Sequence, residues 1–255
     1  MGWLRGLWPS ASRREIPDTL WAATLEAYPF LAELPAAARD RLRTLACRFL
    51  ADKQFQGANG FEVTDAVAVA IAAQAVRPVL NLGLDWYDDF VGIVIHPSEV
   101  LARRTVQDAT GVVHHYNEVL SGEAMDGGPV MLAWSEVARA AEAAPRGTNL
   151  VIHEFVHKLD LRDGHANGCP PMPRADLRRQ WQTAMTEAFE RFREQVTIAE
   201  RFGGEPPWLD AYGATDPGEF FAVASEAYFV NRSRFGAEFP GLVVPFDRFY
   251  GPIDA

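Results

Sequence analysis

The segment His153-Glu154-Phe155-Val156-His157 restricts the structure of this chain more than any other part of its sequence. In an α-helix, residues four apart stand one above the other on the same face, so His153 and His157 can hold one metal ion together. Glu154 points to nearly the same side, where it can reach a water on that metal without binding the metal itself. The pattern therefore predicts a helix that carries two metal ligands and a general base.

The residues around this motif favour a partly buried helix. Thr148 follows the helix breakers Pro145 and Gly147, so it can cap the N-terminus of the helix. The apolar side chains supply a dry face, which consists of Val151, Ile152, Phe155, Val156 and Leu159. Histidines that cap carbonyl groups or pack in a core are the alternative interpretation, but this context favours a metal site.

Two histidines are too few, because a catalytic zinc ion usually takes three protein ligands and leaves the fourth position to water. Asp163 stands where metzincin-type sites carry their third ligand, but Asp160 occupies the place of the glycine that lets the chain turn there. Asp160 is better suited to support a ligand histidine from outside the metal's own ligand set. Asp163 is therefore the weaker candidate for the third ligand.

A second helix far along the chain offers the stronger candidate. Thr215 or Asp216 can cap this helix, and Pro217 suits its first turn. Glu219 precedes an apolar run and is costly to bury unpaired, a cost that metal ligation would offset. Glu226 lies two turns further on the same face and is the alternative ligand. A Glu219 that only stabilises the positive helix N-terminus is the remaining interpretation, and the residues alone favour ligation only moderately.

Together these segments resemble the zinc peptidase family of the Mlc titration factor A, whose catalytic core is similar to that of anthrax lethal factor. Residues 148–160 and 212–226 carry the resemblance, and shorter segments agree with it at residues 51–55, 63–65, 71–75 and 130–134. The similarity extends from roughly residue 15 to residue 250, which is the size of one domain.

The resemblance implies that one zinc ion per chain is bound by His153, His157 and Glu219, with Glu154 as the general base. It also implies a catalytic role for Tyr212, whose hydroxyl can donate to a tetrahedral oxyanion. Without the family, an ordinary loop aromatic would be the better interpretation of that tyrosine.

The family further implies aminopeptidase-like activity on short peptides and the binding of a sugar-responsive transcription repressor. The alternative function is a regulatory binding protein with a structural or nearly silent zinc site. The intact Glu154 favours catalysis, because a structural site needs no base and usually closes its fourth position with a ligand.

Charge and hydropathy argue against two classes of partner. The net charge of −10 argues against a nucleic-acid-binding face. No run reaches the ~18 apolar residues of a membrane span, and the richest one, Ala66–Val76, predicts a buried helix instead.

Two cysteines, Cys47 and Cys169, are too few for a disulfide framework, which favours a cytoplasmic location. Cys169 lies in a loop rich in glycine and proline, so we expect a structural role and not zinc binding.

The pattern of turns and apolar runs predicts an α+β fold, mostly helical, with a small central sheet and a zincin-like catalytic core. The chain of 255 residues suits one domain over residues 18–255 after an N-terminal arm over residues 1–17. Helices are predicted over residues 18–80, with breaks near Pro29, Pro35 and Gly57–Gly60, and over residues 148–160, 174–201 and 216–231. Strands are predicted over residues 90–96, 105–108, 111–116 and 129–134.

The strand just before the motif has a predicted role in substrate binding. An exposed edge at Val130–Trp134 could pair with an extended peptide and align it over the zinc, and a central core strand is an equal alternative. The remaining histidines are expected to be structural or surface residues: His96 at a strand end, His114 and His115 on opposite faces of a strand, and His165 in a loop.

Overall fold

Helices make up most of the chain. The computed structural model describes residues 15–107, 113–120 and 122–251, with the backbone alone in residues 100–107 and 113–120. Its α-helices within these ranges are α1 (Asp18–Ala27), α2 (Pro29–Ala32), α3 (Ala36–Asp52), α4 (Asp65–Ala75), α5 (Trp134–Ala138), α6 (Ala140–Ala143), α7 (Leu150–Asp160), α8 (Ala175–Phe202), α9 (Pro217–Val230), α10 (Arg232–Glu238) and α11 (Pro240–Tyr250). The strands are β1 (Gln54–Gly57), β2 (Gly92–His96), β3 (Val100–Gln107), β4 (Val113–Leu120), β5 (Gly122–Ala124) and β6 (Val130–Ala133). The predicted α+β class, mostly helical with a small sheet, is confirmed.

Four of these strands form one mixed sheet in the order β1-β2-β6-β5. The first three run parallel, whereas β5 runs antiparallel to β6, with Gly122 opposite Leu132 and Ala124 opposite Val130. Strands β3 and β4 form a separate antiparallel hairpin. One edge of the sheet is therefore the short strand β5.

The prediction that Val130–Trp134 is the exposed edge is wrong. Strand β6 lies between β2 and β5, so its alternative, a central strand, is correct, and Trp134 already begins α5. The edge strand next to β6 is β5. It could not be predicted from the sequence, because it spans only three residues and begins at a glycine. Strand β1 likewise interrupts the region over residues 18–80 that was predicted to be helical. The strands predicted over residues 105–108 and 111–116 overlap β3 and β4, and their residues 108, 111 and 112 lie outside the described ranges.

Helix α4 is the most apolar element of the core. The Thr64 side chain caps it by accepting a hydrogen bond from the Val67 N–H at 3.3 Å, and every residue from Val67 to Ala75 is buried. A helix that is buried on all sides must be apolar all round, and Gln74 is the one polar residue in this buried stretch. The helix packs against α1, α3 and α7. It therefore supports the helix that carries the HExxH motif, and the prediction of a buried helix over Ala66–Val76 is confirmed.

The helices predicted over residues 148–160, 174–201 and 216–231 are confirmed as α7, α8 and α9. Helix α7 packs against the strands β5 and β6 and against the helices α4 and α9. Helix α8 is long and amphipathic, and its buried face includes Trp181 and Phe192. In the described part of the chain, no helix combines the length and apolar character that a membrane span requires.

Most of the predicted N-terminal arm, residues 1–17, lies outside the described residues. Within the part that is described, Ile16 is buried and its backbone N–H donates to the Cys47 Sγ atom at 3.4 Å. The Arg43 guanidinium donates to the Ile16 carbonyl. The division between an arm and a domain at residue 17 stays a prediction.

Candidate metal centre

Helix α7 begins with an asparagine cap. The Asn149 side chain accepts a hydrogen bond from the Ile152 N–H at 2.9 Å, so Asn149 and not the predicted Thr148 is the cap. Threonine and asparagine can both cap a helix, so the sequence alone did not distinguish Thr148 from Asn149, and the predicted cap is one residue too early. The Thr148 hydroxyl instead donates to the Ala143 carbonyl at 3.4 Å. The asparagine cap fixes where the helix starts and therefore which way the motif faces.

The motif places two imidazoles side by side where α7 meets α9, in a partly exposed site that we call the cleft. The Nε2 atoms of His153 and His157 lie 3.1 Å apart. The Glu219 Oε2 atom lies 3.1 Å from the first of these nitrogens and 3.3 Å from the second. Within the described residues, these three are the group of side chains that could hold a metal ion.

These distances match the geometry that a metal requires. Ligands at tetrahedral positions with bonds of roughly 2.0–2.1 Å stand about 3.3 Å apart. The Glu219 Oε2 atom is also buried and makes no hydrogen bond, although two nitrogens lie close to it. A buried carboxylate oxygen without a hydrogen bond needs another partner, and a cation at the common focus of the three atoms would be one. The two imidazoles and one carboxylate are a donor set that zinc accepts.

The start of α9 puts Glu219 in this position. The Asp216 side chain accepts hydrogen bonds from the Gly218 N–H at 2.8 Å and from the Glu219 N–H at 3.0 Å, while Pro217 occupies the first turn. Burial raises the pKa of Glu219, but the facing His153 and His157 imidazoles outweigh burial and lower that pKa far below 4.5. The carboxylate is thus ionised, as metal binding requires.

Glu226 contacts the opposite nitrogen of His153. Its Oε1 atom lies 2.7 Å from the His153 Nδ1 atom, and its Oε2 atom accepts from the Asn149 backbone N–H. A proton on Nδ1 that is donated to Glu226 leaves the Nε2 lone pair free for a metal. Burial lowers the pKa of His153, but the Glu226 and Glu219 carboxylates outweigh burial and hold it well above 6.5, so a bound metal would have to displace the proton on Nε2. Glu226 is therefore placed to orient a ligand, and the alternative that it is the third ligand does not fit this geometry.

Glu154 lies beside the three candidate ligands and against the edge strand. Its side chain is 5% exposed, and burial raises its pKa to about 7. The carboxyl group fits there because Gly122 has no side chain: a Cβ atom at Gly122 would stand 2.3 Å from the Glu154 Oε1 atom. A glycine in a strand often marks such a close approach, but this signal could be used only if the strand were recognised first, and β5 spans only three residues.

Tyr212 stands at the rim of the cleft, on a short 3-10 turn over Ala211–Ala214 that the Asp210 side chain caps. Its hydroxyl lies 3.5 Å from the Glu219 Oε1 atom, and its ring centroid lies 6.3 Å from that of His153. The side chain is 49% exposed. The hydroxyl thus lies close to the candidate metal ligands, and about half of the tyrosine side chain is open to solvent.

The other candidate residues lie apart from this group. Asp163 lies 3.9 Å from the Arg178 guanidinium and is not among the three clustered residues. Asp160 is fully buried, where one oxygen accepts from the Gly168 N–H at 2.7 Å, and burial raises its pKa to about 6. Cys169 is a buried free thiol.

His96 and His165 are also separate from the candidate metal centre. His96 lies 3.4 Å from the Asn59 amide, and His165 is exposed. The side chains of His114 and His115 lie outside the described part of the structure.

Comparison with known proteins places the chain in a family. The family model described as "Glucose-regulated metallo-peptidase M90" matches residues 4–251. The chain belongs to this family. A relative in it is the Mlc titration factor A of Enterobacter sp. (strain 638), which is 36% identical over 246 residues that cover 95% of this chain and 90% of the relative.

Further relatives carry the same name. The Mlc titration factor A of Escherichia fergusonii is 35% identical over 96% of this chain and 90% of its own length, and that of Salmonella arizonae is 35% identical over 95% and 94%. The resemblance to the Mlc titration factor A family is therefore confirmed. Membership of the M90 family supports a metallopeptidase and implies a metal cofactor.

Proposed function

We propose that this chain is a zinc-dependent peptidase that removes residues from the N-terminal end of short peptides. The observation that carries the proposal is the convergence of His153, His157 and Glu219 at tetrahedral spacing, with the Glu154 carboxyl group beside them. The preference for peptide N-termini rests on the family resemblance alone.

The three ligands would be the His153 Nε2, the His157 Nε2 and one oxygen of Glu219. When bound, zinc would supply Lewis acidity and lower the pKa of a coordinated water toward about 7. Glu154 is the general base of this proposal, because its carboxyl group lies in the cleft with a pKa of about 7, where a base can both accept and return a proton at neutral pH.

Tyr212 is the proposed donor to the oxygen that gains charge during the reaction. Its hydroxyl already reaches the Glu219 carboxylate at 3.5 Å, which is a long and weak hydrogen bond. A substrate oxygen with developing negative charge is a better acceptor than this contact, so the hydroxyl can exchange one partner for the other. Its exposure at the rim of the cleft leaves room for that movement.

The substrate backbone is proposed to lie along β5, which takes over the role predicted for Val130–Trp134. An extended peptide can add a strand to an open sheet edge, and β5 begins at Gly122 beside Glu154. The Lys158 ammonium of α7 holds the turn after this strand, since it donates to the Met125 carbonyl and, at 2.8 Å, to the Gly128 carbonyl. Helix α7 would thus position both the base and the strand that binds the peptide.

The proposal is tested by Glu154→Gln, which keeps the size of the side chain but removes the base. We expect the variant to bind zinc as the wild type does and to hydrolyse short chromogenic peptides roughly 10²–10⁴-fold more slowly. The matched control is Glu187→Gln, the same chemical change on the exposed face of α8. Unchanged hydrolysis in Glu154→Gln, or no hydrolysis by zinc-loaded wild type, would reject the enzyme function.

A second proposed function is the binding of a transcription repressor, which the name of the relatives suggests. This function does not need the base, so Glu154→Gln should retain it. Sedimentation of the wild type and the variant with a sugar-responsive repressor would show a shared complex if the proposal is correct. We also propose a cytoplasmic location, which the two free cysteines Cys47 and Cys169 support.

A further inference from the structure

Gln74 brings a polar side chain into the apolar helix α4. It is fully buried, and its Nε2 atom donates to the Ala70 carbonyl at 3.0 Å within the same helix. Its Oε1 atom accepts a hydrogen bond from the Asn149 Nδ2 atom at 2.8 Å. This second bond crosses from α4 to the residue that caps α7.

Asn149 is 1% exposed and makes hydrogen bonds through its side chain and through its backbone N–H. Its side-chain amide donates to Gln74, and its side-chain oxygen accepts from the Ile152 N–H. Its backbone N–H donates to the Glu226 Oε2 atom. Because both ends of the side chain have a partner, the orientation of the carboxamide is fixed, and the backbone N–H is held where it meets Glu226.

The series of bonds ends at a candidate metal ligand. Glu226 accepts from Asn149 on one oxygen and lies 2.7 Å from the His153 Nδ1 atom on the other. Gln74, Asn149 and Glu226 belong to α4, the start of α7 and α9, three segments that are distant in sequence. The four bonds from the Ala70 carbonyl to His153 thus connect the core helix to one ring of the metal centre.

We propose that Gln74 and Asn149 are positioning residues of the metal centre. They hold Glu226 in the one place from which it fixes the ring plane of His153 and directs the Nε2 lone pair at the metal. A residue that only stabilised the core could be replaced there by an apolar side chain of similar volume, with no effect on metal affinity. The inference rests on the proposed metal centre, but not on any peptidase activity.

The test breaks the bond between Gln74 and Asn149 from each side and measures zinc affinity. Gln74→Met keeps the volume but removes the acceptor, and Asn149→Ser keeps a helix cap but removes the amide group that donates to Gln74. We expect each variant to bind zinc roughly tenfold more weakly, the lower end of the range for groups that orient a ligand. The double variant should be no weaker than either single one, because all three lack the same bond.

Ser225→Ala is the matched control for a purely structural effect. The Ser225 hydroxyl is fully buried in α9, next to Glu226 in sequence, but it pairs with the Tyr250 hydroxyl at 2.7 Å and has no contact with the candidate metal centre. We expect this variant to lower the melting temperature of the metal-free protein and to leave zinc affinity unchanged. Circular dichroism of each metal-free variant would establish that it is folded. If Gln74→Met is not folded, the result depends on Asn149→Ser, which keeps its helix cap.

Wild-type zinc affinity in both Gln74→Met and Asn149→Ser would overturn the inference. The same holds if Ser225→Ala weakens zinc binding as much as they do. A different result is expected if the proposed metal centre is wrong. The wild type would then bind no zinc, or Glu219→Gln would bind zinc as tightly as the wild type does. That outcome would reject the proposed function and the inference with it.

Discussion

The two sides of the His153 ring face different surroundings. Its Nε2 atom points into the cleft, toward His157 and the Glu219 carboxylate. Its Nδ1 atom points into the core, where Glu226 and Asn149 are almost completely buried. In the proposed function the cleft side would exchange water, metal and substrate, and its side chains are partly exposed. The core side would only have to hold the ring still, and its hydrogen bonds join groups that are largely buried.

The largest effect should follow from the removal of a ligand on the cleft side. Glu219→Gln replaces the carboxylate by a neutral and weaker donor, so we expect zinc affinity to fall by more than the roughly 100-fold upper limit for groups that only orient a ligand. Titration with a zinc indicator measures this loss. Asp163→Asn is the control and should bind zinc normally. If instead Asp163→Asn loses zinc and Glu219→Gln retains it, the assignment of the third ligand is wrong.

Tyr212→Phe should change the reaction and leave the metal in place. The proposed role of the hydroxyl is to stabilise charge in the transition state, and the loss of one such donor lowers kcat by about 10²–10³. We expect the KM for short peptides and the zinc affinity to remain near their wild-type values. A fall in zinc affinity would show that the contact between Tyr212 and Glu219 serves the metal and not the reaction.

Gly122→Ala tests how closely the edge strand approaches the base. The new Cβ atom would stand 2.3 Å from the Glu154 Oε1 atom, so the carboxyl group must move. A displacement of about 1 Å can cost about 10²-fold in rate, and we expect kcat to fall by that order with zinc retained. In a Glu154→Gln background the same substitution should have little further effect on the residual rate. If Gly122→Ala lowers the rate by the same factor in both backgrounds, the substitution acts through the structure of β5 or through peptide binding and not through Glu154.

Glu226→Gln tests the core side of the ring. The amide keeps the size of the side chain and removes the charge that orients His153, so zinc affinity should fall roughly 10–100-fold. Because no catalytic group is removed, hydrolysis at saturating zinc should recover most of the wild-type rate. Failure to recover that rate would mean that the core side contributes to the reaction and not only to the position of the ligand.

The sequence predicts the cleft side of the metal centre better than the core side, for a physical reason. His153, Glu154 and His157 share one helix face, so their relation is local and follows from helix geometry. Glu219 could be proposed because an Asp-Pro start and an apolar run indicate the helix that carries it. The four-stranded order of the sheet and the edge at β5 depend on pairing between distant segments, which a strand of three residues does not reveal.

The contact between Gln74 and Asn149 had no local signal at all. Each amide is ordinary in its own segment, one within an apolar helix and the other at a helix start. Only the packing of α4 against α7 brings the two together. The same limit applies to the cap of α7, because threonine and asparagine are both suited to that position. Asn149 is the cap that is used, and it also contacts Gln74 and Glu226, which are distant in sequence.

The tetrahedral spacing of the three ligand atoms also has a thermodynamic consequence. Helices α7 and α9 are far apart in sequence, and a shared zinc ion would be a cross-link that exists only in the folded chain. Ligands that bind only the native state stabilise it by mass action, by about 2.7 kcal/mol when their free concentration is 100 times the Kd. The folded fraction of this protein, and not its catalytic rate alone, would then depend on how much free zinc surrounds it.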